Sequence, residues 1–130
     1  MGAGTSDTVV LIMREDKVRK VASSTLQKAG FKVLHTSQAN SLEEFGDHAK
    51  DISLAIVDTD SSRQEVSELL RNIHRILPES RVLLISESAA VASLACHSHP
   101  GCWFMSKPFR RAQFLGQVLH VIAEPAVLTA

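Results

Sequence analysis

The chain carries no excess of charge of either sign. Its 130 residues include 14 Lys and Arg against 14 Asp and Glu, so the formal net charge at pH 7 is 0. No block of Lys and Arg and no acidic tail occurs along it. Because binding to nucleic acid or to an anionic membrane surface usually requires a basic patch, we expect neither as a direct partner.

Long apolar runs are also missing. The longest ones have the length of a strand, whereas a membrane span needs roughly 20 consecutive apolar residues. The first residues, MGAGTSD, lack the basic start and the apolar stretch of a signal peptide. We therefore expect a cytoplasmic protein without a membrane span.

Cysteine is scarce, with Cys96 and Cys102 as the only two. A chain of this length can build a core without disulfides, so this number favours a reducing compartment. The stretch CHSHPGC also offers His97 and His99 as metal ligands, but its spacing matches no zinc signature and its Pro-Gly pair is typical of a turn. We predict a plain loop here rather than a metal site or a disulfide.

A short apolar run followed by an amphipathic segment recurs five times along the chain. The apolar runs are short and rich in β-branched residues, which predicts buried strands, and the following segments have helical spacing. Two helices have the spacing of a capping box at their starts, Ser41 with Glu44 and Ser62 with Glu65. The predicted strands are 8–13, 31–36, 53–59, 81–86 and 102–106, and the predicted helices are 17–30, 41–50, 62–77, 89–96 and 110–124.

Five strand-helix units predict an α/β fold with a doubly wound parallel sheet and helices on both faces. We expect one domain over residues 8–123, a flexible N-terminus over 1–7 and a C-terminal tail over 124–130. A flavin- or nucleotide-binding enzyme on such a fold is disfavoured, because no glycine-rich phosphate loop follows the first strand.

Sheets of this kind place their functional groups beyond the carboxyl ends of the strands. Asp58 is the next-to-last residue of the third predicted strand, Ser86 ends the fourth, and Lys107 follows the fifth. A carboxylate at such a position can attack phosphorus and form an acyl phosphate. An ammonium group and a hydroxyl can then stabilise the phosphoryl oxygens. These residue types together favour phosphoryl transfer.

The sequence resembles the response-regulator receiver domains of two-component signalling over Thr8 to Ala123. The residues that carry this resemblance are Asp58 at the end of SLAIVD, Ser86 at the end of RVLLIS, the triplet Lys107-Pro108-Phe109, and Phe104. The resemblance implies a flavodoxin-like (CheY-like) fold with five parallel strands. It also implies roles for these residues: Asp58 as phosphoacceptor, Ser86 as switch hydroxyl, Phe104 as switch aromatic, Lys107 as phosphate partner, and a cis bond before Pro108.

The same resemblance implies a signalling switch rather than an enzyme with an external substrate. A histidine kinase or a phosphotransfer protein would supply the phosphoryl group. The downstream partner would bind the face formed by the fourth helix, the fifth strand and the fifth helix. A homodimer is a further expected assembly. The chain would be a stand-alone regulator or the receiver part of a hybrid histidine kinase.

The sequence departs from the family after the first strand. Receivers usually have two acids there, and this chain has Met13 and Arg14 instead. Glu15 and Asp16 follow one or two places later, where they either help Asp58 and Asp60 to hold Mg2+ or favour the start of the first helix. Arg14 could alternatively pair with Asp58 and keep it ionised. A weakened Mg2+ site leaves a second hypothesis open, a pseudoreceiver that binds partners without phosphorylation.

Overall fold

The computed structural model describes residues 7–37, 39–59 and 63–124. The expected flexible N-terminus and C-terminal tail fall almost entirely outside these residues, as do Asp60 and Ser62. The elements, in chain order, are β1 (Thr8–Ile12), α1 (Asp16–Lys28), β2 (Lys32–Thr36), a 3-10 segment (Ala39–Asp51), β3 (Ile52–Asp58), α2 (Arg63–Ile76), β4 (Arg81–Ser86), α3 (Ala89–His97), β5 (Cys102–Ser106) and α4 (Arg111–Ala123).

All five strands form one parallel sheet in the order β2-β1-β3-β4-β5. The predicted doubly wound α/β fold is therefore confirmed. β2 pairs with one edge of β1, whereas β3, β4 and β5 follow one another on its other side, so the strand order reverses at β1. This order brings the carboxyl ends of β3, β4 and β5 next to one another.

Each strand contributes alternate side chains to two separate cores, as a pleated strand must. On one face of the sheet, Val10, Ala55 and Leu84 pack with buried residues of α2 and α3. On the other face, Leu11, Ile56 and Leu83 pack with buried residues of α1 and α4. Within the described part of the chain, no helix is both long enough and apolar enough to cross a membrane.

The helix predicted over 41–50 is instead a kinked 3-10 segment. Gly46 has φ +53° and ψ −121°, a backbone conformation that cannot continue a helix. Leu42 is fully buried and Phe45 packs against the same core. Since the segment begins at Ala39, Ser41 is inside it, and the predicted capping position is wrong.

A disulfide joins Cys96 at the end of α3 to Cys102 at the start of β5. The plain loop predicted from the sequence is therefore wrong. The two Cα atoms are 5.1 Å apart, which is within the range that a disulfide can bridge. This proximity depends on how α3 returns to the sheet, and the cysteine spacing alone does not reveal it.

Candidate functional site

Three of the predicted site residues lie at the carboxyl edge of the sheet, each at the end of a separate strand. Asp58 ends β3, Ser86 ends β4 and Lys107 directly follows β5. Backbone hydrogen bonds continue the sheet to this edge: the N–H of Thr59 donates to the carbonyl of Ile85 over 2.9 Å, and that of Lys107 donates to the carbonyl of Ser86 over 3.0 Å. The backbone under these side chains is thus held by the sheet itself.

Asp58 and Lys107 form a short ion pair. The distance from Lys107 Nζ to Asp58 Oδ1 is 2.7 Å, and the two side chains are only 14% and 8% exposed, in the order lysine and aspartate. The pair reaches across the end of β4, which lies between the strands that carry its two members. Because both groups are largely removed from water, the carboxylate of Asp58 depends on Lys107 for its charge compensation.

Ser86 is the last residue of β4, the strand between those that carry the pair, and it is 3% exposed. Its Oγ accepts a hydrogen bond from the backbone N–H of Ser88 over 3.0 Å. Accepting this bond leaves the hydroxyl its own proton to donate. Ser88 in turn caps α3, since its Oγ accepts from the N–H of Val91 over 3.4 Å. The Ser86 hydroxyl therefore helps to hold the loop between β4 and α3.

The chain after β5 turns sharply away from the sheet. The Lys107–Pro108 peptide bond is cis. Phe109 follows, and its ring stacks on the buried ring of Phe114 in α4, with centroids 5.4 Å apart. Phe104, three residues before the lysine, is 39% exposed on β5, so in this structure it is a surface residue rather than part of the core.

The end of β1 is apolar where acids were expected for the family. Met13 is 1% exposed and belongs to the core shared with α1 and α4. Arg14 is exposed, and the described residues contain no ion pair between it and Asp58. Glu15 precedes α1 without capping it through its side chain, and Asp16 pairs with Arg19 at 3.1 Å. The two acids thus accompany the exposed start of α1.

These residues do not fit a Mg2+ site. The described part of the chain has no group of three or more His, Cys, Asp or Glu side chains that could hold a metal ion. Mg2+ prefers oxygen ligands, but Met13 supplies an apolar side chain at this edge. Asp58 is paired with Lys107, Asp16 with Arg19, and Asp60 lies outside the described residues.

The chain is similar to known proteins in its fold. No family profile matches the chain, and no curated protein sequence does. A response regulator from Thermotoga maritima superposes with a TM-score of 0.77 at 22% identity, over 92% of this chain and 99% of that one. A response regulator receiver protein from Sinorhizobium medicae has a TM-score of 0.69 at 24% identity, with 90% and 94% covered. The fold is that of a receiver domain.

The receiver fold alone does not assign a function. A de novo designed Rossmann 2x3 protein also superposes on this chain, with a TM-score of 0.64 at 13% identity over 96% of this chain and 95% of that one. Function therefore has to be argued from the residues at the edge of the sheet. In this receiver fold Asp58 and Lys107 are in contact and Ser86 lies at the same edge of the sheet, whereas Glu15 and Asp16 are exposed to solvent.

Ser88 was not among the residues predicted for this region from the sequence. Its signal was present, because a serine directly before an apolar helical segment is a strong N-cap candidate. Met13 was predicted as the last residue of the first buried strand, and it directly follows β1. The burial of Met13 follows from its position as the next alternate residue after Val9 and Leu11, which face the same core.

Proposed function

We propose that this chain is a receiver module of two-component signalling and that Asp58 accepts a phosphoryl group from a phosphohistidine of a histidine kinase or a phosphotransfer protein. The observation that carries the proposal is the buried 2.7 Å pair of Asp58 and Lys107 at the sheet edge where β4 ends at Ser86. The role suits a cytoplasmic stand-alone regulator and the receiver part of a hybrid histidine kinase equally.

The proposed reaction uses the side chains at this edge directly. A carboxylate oxygen of Asp58 attacks phosphorus, the bond from phosphorus to the histidine nitrogen breaks, and the imidazole leaves with its electron pair and takes up a proton. Lys107 moves with the transferred group and pairs with its oxygens, because its partner carboxylate has become an acyl phosphate. Ser86 donates its hydroxyl proton to the same group. No step is assigned to Mg2+.

The proposed output is a change at the surface formed by α3, β5 and α4. These elements correspond to the fourth helix, the fifth strand and the fifth helix predicted from the sequence. Each of these elements exposes a large apolar side chain: Leu94 in α3 is 50% exposed, Phe104 in β5 is 39% exposed, and Leu119 in α4 is 49% exposed. Formation of the acyl phosphate replaces the single negative charge of Asp58 by about two on the phosphoryl group. This change draws Ser86 toward the group and allows Phe104 to move inward. A downstream partner or a second copy of the chain would bind this surface.

Intact-mass spectrometry after incubation with acetyl phosphate, with and without Mg2+, tests the proposal. We expect one added phosphoryl group in the wild type and none in Asp58→Asn. A Lys107→Met variant should fold but accept less phosphate, because the transferred charge then lacks its cation. An unmodified wild type under every condition, with folding verified by circular dichroism, would overturn the assignment of Asp58.

A second function is favoured by the buried Met13. With an apolar side chain at the end of β1 and exposed acids at the start of α1, the chain can serve as an interaction module that needs no phosphate. In that case Arg14→Asp should bind Mg2+ more tightly than the wild type, while the wild type stays unphosphorylated. Phosphorylation of the unmodified sequence would instead support the first proposal.

A further inference from the structure

α3 is held to the sheet by little apolar surface. The helix has nine residues, and isolated helices of this length are marginal in water. Its fully described buried residues are all small: Ala92, Ala95 and Cys96. By contrast, α4 buries Phe114, a far larger side chain. Since burial stabilises roughly in proportion to the apolar area removed from water, α3 depends more than α4 on other restraints.

The disulfide supplies such a restraint. Cys96 lies in the last turn of α3 and Cys102 is the first residue of β5, so the bond closes a short loop between the two elements. It ties the weakly packed helix to a strand whose backbone is anchored in the sheet through β4. We propose that Cys96 and Cys102 are a redox-responsive thiol pair that sets whether α3 is fixed to β5.

The redox step is a thiol-disulfide exchange with a small disulfide of the glutathione type. Two protein thiols and one small disulfide give the protein disulfide and two small thiols, so the protein sulfurs lose two electrons and the small disulfide gains them. In the reverse direction, a small thiolate attacks the sulfur of Cys102, which is half-buried, and Cys96 leaves as a thiolate. A second small thiolate then attacks the small-molecule sulfur of the mixed disulfide, which releases Cys102 and re-forms the small disulfide. Cys96 is only 8% exposed, so its sulfur is the less accessible one.

Formation or reduction of the disulfide would change an exposed apolar surface. Leu94 in α3 and Phe104 in β5 lie on the two elements that the disulfide connects. With the bond formed, the helix and the strand that carry these two side chains are covalently linked. With the bond reduced, α3 can open from the sheet while β5 stays paired with β4. This inference needs no phosphorylation of Asp58.

Hydrogen-deuterium exchange of the oxidised and the reduced wild type tests the proposal. One sample is treated with glutathione disulfide and the other with a phosphine reductant, and alkylation followed by intact-mass measurement counts the free thiols. We expect amides of α3 to exchange on the order of tenfold faster in the reduced form, because the tether no longer limits local opening. Amides of α1 should exchange equally in both forms.

Two matched variants complete the experiment. Cys102→Ser should exchange in α3 like the reduced wild type and should not respond to the oxidant, and Asp58→Asn should respond to redox like the wild type. Free thiols that persist in glutathione disulfide would overturn the proposal. Equal exchange of α3 in both forms, or a change that is as large in α1 as in α3, would overturn it as well. Since Asp58→Asn lacks the proposed phosphoacceptor, its redox response tests the disulfide independently of phosphorylation.

Discussion

At the scale of the residue, the site is dominated by two opposite charges that are both nearly buried. Asp58 and Lys107 each compensate the other, and neither has enough exposure to be solvated well alone. An intact pair of this kind contributes little net stability, because its attraction mainly offsets the cost of taking both charges out of water. Its importance lies in what happens when one partner is lost.

Lys107→Met should lower the free energy of unfolding by roughly 3 kcal/mol, because Asp58 is then left as a buried charge without its partner. Urea denaturation followed by circular dichroism measures this. The matched control is Lys20→Met, an exposed lysine in α1, for which we expect a change within about 0.5 kcal/mol.

The double variant Asp58→Asn with Lys107→Met should be more stable than Lys107→Met alone, because the uncompensated charge is removed. Equal losses in Lys107→Met and Lys20→Met would contradict a buried ion pair.

The residue scale also shows what the sequence could and could not predict of the site. Asp58, Ser86 and Lys107 were identified because strand ends in a parallel sheet converge, a property of topology that the alternation of strands and helices already encodes. Asp58 pairs with Lys107 and not with Arg14, because the Lys107 side chain extends across the end of β4 to the carboxylate. The sequence carries no direct signal for that distance.

At the scale of the element, the turn between α3 and β5 packs against α2 through two histidines. The ring of His74 in α2 stacks on that of His99, with centroids 6.5 Å apart. Burial lowers the pKa of His99, and the nearby His74 and Arg71 lower it further. Protonation of His99 is therefore less favourable in the native protein than in the unfolded chain.

This shift predicts a loss of stability in mild acid. Above the unfolded pKa of about 6.5, His99 is neutral in both states and has no effect. As the pH falls below that value, the unfolded chain binds a proton that the native protein resists, so the free energy of unfolding decreases. We expect less than about 1 kcal/mol from this group between pH 7 and pH 5.5, because the ring is partly exposed.

Denaturant titrations across that range check the prediction. His99→Asn should flatten the pH dependence, and Arg71→Gln should flatten it in part by removing one of the neighbouring positive charges. A slope unchanged in His99→Asn would show that other groups cause the acid sensitivity.

The elements themselves were predictable to different degrees. The five strands followed from apolar runs of strand length, and α1, α2, α3 and α4 followed from helical spacing. The segment Ala39–Asp51 was predicted as an α-helix because its apolar spacing fits one, but Gly46 adopts a positive φ that spacing does not reveal. The link from Cys96 to Cys102 escaped prediction for a related reason, since it depends on the distance between two element ends.

At the scale of the whole molecule, one sheet separates two cores that share no helix. α2 and α3 cover one face, and α1 and α4 cover the other. The parallel sheet with helices on both faces could be derived from the five strand-helix units. The strand order could be expected only from the family resemblance, because several orders satisfy the same right-handed crossovers.

The ion pair at the sheet edge has a consequence for the order in which the chain folds. Asp58 and Lys107 are 49 residues apart, and β4 lies between their strands, so the pair can form only after β3, β4 and β5 have assembled. The entropy of closing such a long loop has to be paid before the contact contributes, so we expect the pair to form late in folding. Lys107→Met should therefore accelerate unfolding on the order of a hundredfold and change the refolding rate by less than about threefold, as stopped-flow mixing would measure. The site that would receive a signal is then also among the last parts of the protein to be completed.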